Sequence, residues 1–135
     1  MSSFFLSTKG FNDIVDITPK VSEIVESSKV KEGICLIASP GSTCGITTIE
    51  YEEGLIKDLK KALDKIAPMS KDYEHCKRWG DCNGYAHVRS AIINPFLAVP
   101  IENGKLALGQ WQQVAFIDFD NRSRKREINV KVISS

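Results

Sequence analysis

The sequence has few histidines, little net charge and no long apolar run. Only 2 of its 135 residues are histidines, and 18 Lys and Arg nearly balance 17 Asp and Glu, for a formal net charge of +1. This balance argues against capture of nucleic acid or an anionic membrane through a broad positive field. No stretch approaches the roughly 20 apolar residues that a membrane span needs. The first residues, Met1 to Leu6, also lack the basic flank and long apolar run of a signal peptide.

The cysteines have no C-x-x-C spacing. There are 4 of them, Cys35, Cys44, Cys76 and Cys82. Their positions give no zinc-ribbon signature. The simplest interpretation is a protein with reduced cysteines in the cytoplasm, where disulfides are rare.

Hydrophobic patterning predicts a single domain over residues 1–135, of the α/β class and α+β type. The chain has the length of one domain and contains no repeat, linker or low-complexity segment. The pattern indicates a mostly antiparallel sheet with about three helices packed on it. Strands are predicted at residues 4–6, 14–17, 34–38, 46–49, 96–101, 105–108, 111–119 and 127–132, and helices at 19–29, 55–66 and 85–93, the last capped by Asn83.

Several local signals are more specific. The apolar run 34–38 is typical of a strand buried on both faces. Asn103-Gly104 predicts a tight hairpin. The alternating stretch 111–119 predicts a strand that begins with Trp111 in the core. The basic run 122–126 is expected at a solvent-exposed hairpin tip.

The segment HCKRWGDCNGYAH, residues 75–87, contains both histidines and is interpreted as a loop. His75 and His87 are candidate metal ligands or proton-transfer groups, and Asp81 is a candidate oxygen ligand. Their spacing matches no standard ligand motif. The alternative is that His75 is solvated and His87 packs between a helix and the sheet.

Other candidates lie outside this segment. Ser42 and Thr43 belong to a turn of small residues after a buried strand. This turn either binds an anion through its backbone N–H and hydroxyl groups or is a tight turn without a ligand. Glu50 ends a strand, as a solvated charge, a helix-cap partner or a site residue. Arg89 would face a phosphate or make a surface ion pair. Gln112 needs a polar partner.

Three segments, GSTCGITTIEYEEGL, DCNGYAHVRSAI and PIENGKLALGQWQQVAFIDFDNR, resemble the YjbQ family, also called the uncharacterised protein family 0047. The resemblance runs from about Gly33 to Val132. It implies a compact fold with a partly open, barrel-like sheet, assembled as a homotrimer. It also implies thiamine-phosphate synthase activity, in which a pyrimidine diphosphate is joined to a thiazole phosphate and pyrophosphate is released.

The resemblance further implies a polar pocket around the histidine-bearing segment, near a subunit interface, that holds a divalent metal such as Mg²⁺ or Zn²⁺. The expected catalytic residues are His75, Asp81, His87 and Glu50, of which the first three would bind the metal. The expected ligand-binding residues are Ser42, Thr43, Asn83, Arg89 and Gln112, with Trp111 beside them. Cys82 replaces a family glycine, while Tyr85 and Gly41 stand where family members carry histidines.

Two other function classes stay open. One is a non-catalytic trimeric protein that binds a metal or ligand or acts as a scaffold. The other is a phosphohydrolase of small metabolites. The expected partners are further copies of the chain and a small phosphorylated metabolite, not a membrane or nucleic acid.

Overall fold

A computed structural model describes every residue from Met1 to Ser135. The chain forms a mixed α+β fold in which a curled antiparallel β layer makes a half-barrel, in agreement with the predicted class. The elements are β1 (Ser2–Thr8), β2 (Asp13–Asp16), α1 (Thr18–Ser28), β3 (Gly33–Ala38), β4 (Cys44–Ile49), α2 (Glu53–Ile66), α3 (Glu74–Trp79), α4 (Gly84–Ile93), β5 (Phe96–Glu102), β6 (Lys105–Leu106), β7 (Gln113–Asp118) and β8 (Arg124–Ser134). None of the helices is long and apolar enough to cross a membrane.

The strands form two antiparallel sheets. The five-stranded sheet has the order β1-β8-β3-β5-β6, and the three-stranded sheet has the order β2-β7-β4. Asn103 and Gly104 connect β5 to β6 with φ values of 52° and 80°. These are the left-handed conformations that a two-residue type I′ turn requires, so the predicted hairpin is confirmed.

Strand β7 lies between two hydrophobic clusters. Val114 and Phe116 belong to a cluster of 13 buried residues that includes α1 and the five-stranded sheet. Ala115 and Ile117 point the other way, into a cluster of 7 buried residues that includes parts of α2 and α4. The predicted alternation is therefore correct for β7, and both of its faces are covered.

Two burial predictions are wrong. Trp111 precedes β7 instead of starting it, and its side chain is 66% exposed and not in the core. In β3, Cys35 and Ile37 are buried while Ile34 is 48% exposed, so this strand is buried on one face only. A continuous apolar run cannot show by itself which of its alternate residues faces solvent.

The predicted loop at 75–87 contains a helix, α3, which raises the number of helices from about three to four. The helix ends at Gly80, whose φ of 77° is the left-handed cap that glycine adopts readily. Cys76 and Cys82 form a disulfide across this end. The prediction of reduced cysteines is thus wrong for this pair, whereas Cys35 and Cys44 are free and buried.

Candidate functional site

The imidazole rings of the two histidines lie next to each other. His75 lies on α3 and His87 on α4, and their ring centroids are 4.5 Å apart with the rings tilted by 38°. Glycine at the start of α4 permits this approach, because a Cβ on Gly84 would lie 2.7 Å from the Cβ of Tyr73 and 3.2 Å from that of His75. The structure therefore brings both imidazoles into one cluster, as the enzyme interpretation requires.

Asp81 lies beside this pair. Its Oδ1 is 3.5 Å from Nδ1 of His75. The two atoms are near enough to attract as charges, but Nδ1 is buried and has no hydrogen-bond partner. His75 therefore keeps an unused polar atom next to a carboxylate.

His87 is biased towards its neutral form. Burial is the main cause of its lowered pKa, and the neighbouring His75 lowers the pKa further. Asp120 and Asp81 oppose the shift, as does the backbone of Ser42, without reversing it. A neutral imidazole at pH 7 can accept a proton, so His87 is suited to act as a base.

Asn83 connects the histidine segment to the end of β7. It occupies the N-cap position of α4, as predicted, but its side chain does not cap the helix. Its Nδ2 instead donates to Oδ1 of Asp120 at 3.2 Å. Its Oδ1 is buried without a partner.

A buried network of charges lies behind Asn83. Asp118 and Asp120 are both fully buried. Nε and Nη2 of Arg126 bind the two oxygens of Asp118 at 2.8 and 2.7 Å, which is a bidentate pair. Nη2 of Arg124 lies 2.6 Å from Oδ2 of Asp120.

Asp120 is held as a carboxylate. Burial alone would raise its pKa, but the backbone N–H of Asn121 and the side chains of Asn83 and Arg124 stabilise the ionised form, and the pKa is lowered overall. The hydroxyl of Thr43 also donates to Oδ2 of Asp120 at 3.1 Å. Thr43 thus joins the predicted small-residue turn to this network.

No sequence pattern marks Asp118 or Asp120 as site residues. The basic run 122–126 is predicted at a solvated tip, which holds for the exposed Arg122 and Lys125 but not for Arg124 and Arg126. Two acidic residues at the end of an apolar strand, followed by several arginines, were the available signal. Acidic side chains that end a buried strand need cationic partners nearby.

A polar cleft of about 320 Å³ opens next to the network. It is lined by Asp81, Asn83, Asp120, Asn121, Arg122 and Arg124. Nδ2 of Asn121 donates to the backbone carbonyl of Asp81 at 3.0 Å, which joins the histidine segment to the β7–β8 turn. The cleft therefore presents guanidinium and amide groups beside the paired imidazoles.

Other predicted site residues lie at the far end of the same sheet. In β4, Cys44 pairs with Asp118 and Ile49 pairs with Gln113, so Glu50 follows the opposite end of the strand. At about 3.3 Å per residue, Thr43 and Glu50 are separated by roughly 23 Å along the chain. Within one subunit, Glu50 is not part of the histidine cluster.

Glu50 belongs to a different cleft of about 430 Å³, lined by Asp16, Tyr51, Glu52, Gln110, Trp111 and Gln113 as well. Gln112 is exposed nearby, and its Oε1 accepts from the backbone N–H of Gly109 at 2.8 Å. The polar partner of Gln112 is thus the nearby backbone of Gly109.

Glu50 is also not the helix-cap partner. The carboxylate that caps α2 is that of Glu52, which accepts from the backbone N–H of Leu55 at 3.3 Å.

Arg89 does not face a ligand. Its side chain is fully buried, and its Nε donates to the carbonyl of Ala67 at 3.0 Å. Its Nη1 and Nη2 each donate at 2.8 Å, to Asn12 and Asp64 respectively. The guanidinium joins α4 to α2 and the β1–β2 loop, which contradicts the predicted phosphate contact.

The expected metal ligands do not form a metal site. His75, His87 and Asp81 lie close together, but no group of three or more His, Cys, Asp or Glu side chains in the chain is arranged so that it could hold a metal ion. Cys76 and Cys82 are joined to each other and offer no thiolate. A protein site for a metal such as Zn²⁺ takes at least three protein ligands. The residues of one chain therefore do not fit a Zn²⁺ ion held by protein ligands alone.

Two of the departures from the family pattern are explained by the fold. Tyr85 is buried in the second core cluster, where the guanidinium of Arg89 lies 5.1 Å from its ring. Tyr85 thus packs in the core and not beside the imidazoles. A Cβ at Gly41 would lie 3.1 Å from Nη1 of Arg126, so a side chain here would start next to the buried network.

The chain is similar in sequence and in fold to proteins of one family. The model of the family described as UPF0047 protein YjbQ-like matches residues 2–135. A UPF0047 protein of Archaeoglobus fulgidus is 36% identical over 121 residues, covering 90% of this chain and 91% of that protein. A YbjQ-like protein of unknown function from Sulfolobus solfataricus superposes with a TM-score of 0.93 at 31% identity, covering 99% of this chain and 96% of that one.

An uncharacterised YjbQ/UPF0047 protein from Clostridium acetobutylicum superposes with a TM-score of 0.89 at 33% identity, covering 98% of this chain and 100% of that one. Sequence and fold agree over nearly the whole chain. The protein therefore belongs to the YjbQ/UPF0047 family.

Proposed function

We propose that this protein transfers a group between small phosphorylated metabolites, in a reaction of the thiamine-phosphate synthase type. One observation carries the proposal. Asp81, which lies beside the His75–His87 pair, lines a polar cleft that also presents Arg122 and Arg124. Ser42, Thr43 and Asn83 lie around the same point.

The cleft supplies what a diphosphate leaving group needs. In the proposed transfer, a ring nitrogen of the thiazole phosphate forms a bond to the pyrimidine methylene carbon. The carbon–oxygen bond to diphosphate breaks, and pyrophosphate leaves with the electron pair. Guanidinium groups such as that of Arg122 would bind its developing negative charge. The released pyrophosphate takes up one proton from water, and the N–H of His87, neutral at pH 7, would donate a hydrogen bond to the developing negative charge.

The proposal gives no role to a protein-bound metal. Asp81 is the only carboxylate among the expected metal ligands, and Glu50, the other expected catalytic carboxylate, lies in a separate cleft. Charge neutralisation is assigned to the arginines instead. Arg89 is replaced in this role by Arg122 and Arg124, because Arg89 is buried.

The proposal includes assembly as a homotrimer in the cytoplasm. The outer face of the five-stranded sheet supports the assembly, because apolar side chains are exposed there on neighbouring strands. Ile34 is 48% exposed and lies opposite Ile133, which is 45% exposed. Phe96, at the start of β5, is 56% exposed on the same face. Exposed apolar side chains on neighbouring strands are typical of interaction sites, and Lys131, opposite Leu36, is a charged residue on the same face.

The test is a reaction of purified, untagged protein with the pyrimidine diphosphate and the thiazole phosphate, in the presence and absence of Mg²⁺. Thiamine phosphate and pyrophosphate are measured separately. We expect both products in equal amounts, and a loss of about 10²-fold or more in His87→Ala, the usual effect of removing one hydrogen-bond donor to developing negative charge. Lys105→Ala is the matched control, because Lys105 is exposed on β6 away from the cleft.

Each other outcome contradicts the proposal in a distinct way. Release of inorganic phosphate from either substrate alone would indicate a phosphohydrolase. Binding of the diphosphate by calorimetry without any product would indicate a non-catalytic binding protein. Equal activity in His87→Ala and Lys105→Ala would show that the reaction, if present, takes place elsewhere.

A further inference from the structure

Helix α3 carries His75 but is weakly held. It has 6 residues and none of them is buried. It packs mainly against α4, and the ion pair between Lys77 and Glu74 lies within the helix itself. A helix this short does not persist on its own, because its nucleation cost is spread over too few hydrogen bonds.

The disulfide ties α3 to the residues that precede α4. Cys76 directly follows His75, and Cys82 directly follows Asp81. The bond therefore joins the segment of His75 to that of Asp81, just before the N-terminus of the helix that carries His87. The other contacts of α3 with α4 are non-covalent, such as the approach of His75 to His87 and to Gly84.

We propose that the Cys76–Cys82 disulfide positions His75 against His87, and that thiol–disulfide exchange at this bond assembles and disassembles the site. The geometry of the paired imidazoles carries this inference, which rests on the proposed function only in naming that pair as the reacting centre. Cys76 and Cys82 are positioning residues in this scheme. Neither takes part in the group transfer.

The exchange step is balanced by an external dithiol. A thiolate of the dithiol attacks the Cys82 sulfur, and Cys76 leaves as a thiolate that takes up a proton. The second thiol of the reagent then attacks the mixed disulfide and releases Cys82. The protein gains two electrons and two protons, and the dithiol becomes a disulfide.

The attacked sulfur is accessible. Cys82 lines an open cleft of about 270 Å³ with Met69, Ser70, Lys71, Tyr85 and Asn121. The ammonium of Lys71 would stabilise a thiolate formed in this cleft. The other two cysteines do not compete, because both are buried, and burial raises the pKa of the Cys35 thiol to about 11.

The experiment compares the two histidine rings by NMR in the oxidised protein, after dithiothreitol and after reoxidation. With only 2 histidines in the chain, each ring gives a separate set of signals. We expect an inter-ring NOE in the oxidised form, its loss on reduction and its return on reoxidation. Thiol counting under denaturing conditions should give 2 free thiols before reduction, Cys35 and Cys44, and 4 after it, when Cys76 and Cys82 are added.

Cys76→Ser/Cys82→Ser is the matched variant. It should lack the NOE under all conditions and should not respond to dithiothreitol, while the signals of the β7 core stay in place and show that it is folded. An NOE that survives reduction, or 4 free thiols in the oxidised protein, would overturn the inference. Since the readout is structural, it stands or fails independently of the transfer assay: an inactive protein whose NOE responds to reduction would contradict the proposed function alone.

Discussion

The pair of Asp118 and Arg126 is the residue-scale feature with the largest expected effect on stability. Asp118 is fully buried and the Arg126 side chain is 9% exposed. Removing one partner of a buried ion pair leaves the other charge without compensation, which costs about 3–5 kcal/mol. We therefore expect Arg126→Met to lower the free energy of unfolding by this amount in urea denaturation.

Arg122→Met is the control for that measurement. Arg122 is exposed at the rim of the cleft, so its replacement should change the free energy of unfolding by no more than about 0.5 kcal/mol. Similar values for the two variants would mean that Asp118 finds another partner.

The imidazole pair gives a pH dependence. Burial and the neighbouring His75 lower the pKa of His87. The unfolded chain therefore binds this proton more readily than the folded one, starting near the ordinary histidine pKa of about 6.5. The stabilising contribution is present above that pH and is lost as the pH falls through the folded pKa of His87. We expect unfolding to become easier between pH 7 and pH 5.

His75→Gln separates the two causes of the shift. It removes the neighbouring charge and leaves burial in place, so the pKa of His87 should rise towards its ordinary value in an NMR titration. The drop in stability towards acidic pH should shrink with it. An unchanged His87 pKa would mean that burial accounts for the whole shift.

At the scale of elements, sequence patterns correctly predicted the turns and helices that are specified by residues close together in the chain. Asn103-Gly104 specified a turn, and the 14-residue helix α2 follows a clear 3.6-residue period. The sequence does not predict helix α3 because EHCKRW has no apolar face. The residues of α3 are held in place by the Cys76–Cys82 disulfide and by the close approach of His75 to Gly84. Contacts of that kind are set by tertiary structure and leave no periodic pattern.

The hairpin permits a sharp test. Gly104 has a φ of 80°, yet a Cβ there would come no nearer than 3.5 Å to Lys31. Gly104→Ala therefore costs only the left-handed conformation, about 1 kcal/mol. Gly109→Ala is the control, since its Cβ would meet only the flexible end of Gln112 at 3.3 Å. Equal melting temperatures for the two variants would argue against a type I′ turn.

At the scale of the molecule, the sequence indicated which residue types form the site but not how they are distributed. Ser42, Thr43 and the histidine segment meet because β4 begins beside the end of β7. Glu50 and Gln112 lie at the other end of those strands, a separation that follows from strand register and not from spacing in the sequence. The buried acidic residues of β7 were hidden for the same reason: a charge inside the core is recognisable only once its partner, such as Arg126, is placed.

The outer face of the five-stranded sheet gives the last prediction. Ile34 is half exposed, and its neighbours across the strands are Ile133 and Pro100. If copies of the chain assemble through this face, Ile34→Lys puts an unpaired charge into each interface while leaving the folded subunit intact, because the side chain already faces outward. We expect light scattering to give a trimer for the natural protein and for Lys105→Ala, and a monomer for Ile34→Lys with an unchanged circular dichroism spectrum.

A trimer that survives Ile34→Lys would mean that the interface lies on another surface. A monomeric natural protein would remove the assembly from the proposed function. It would leave the histidine cluster unaffected, because a single chain forms that cluster.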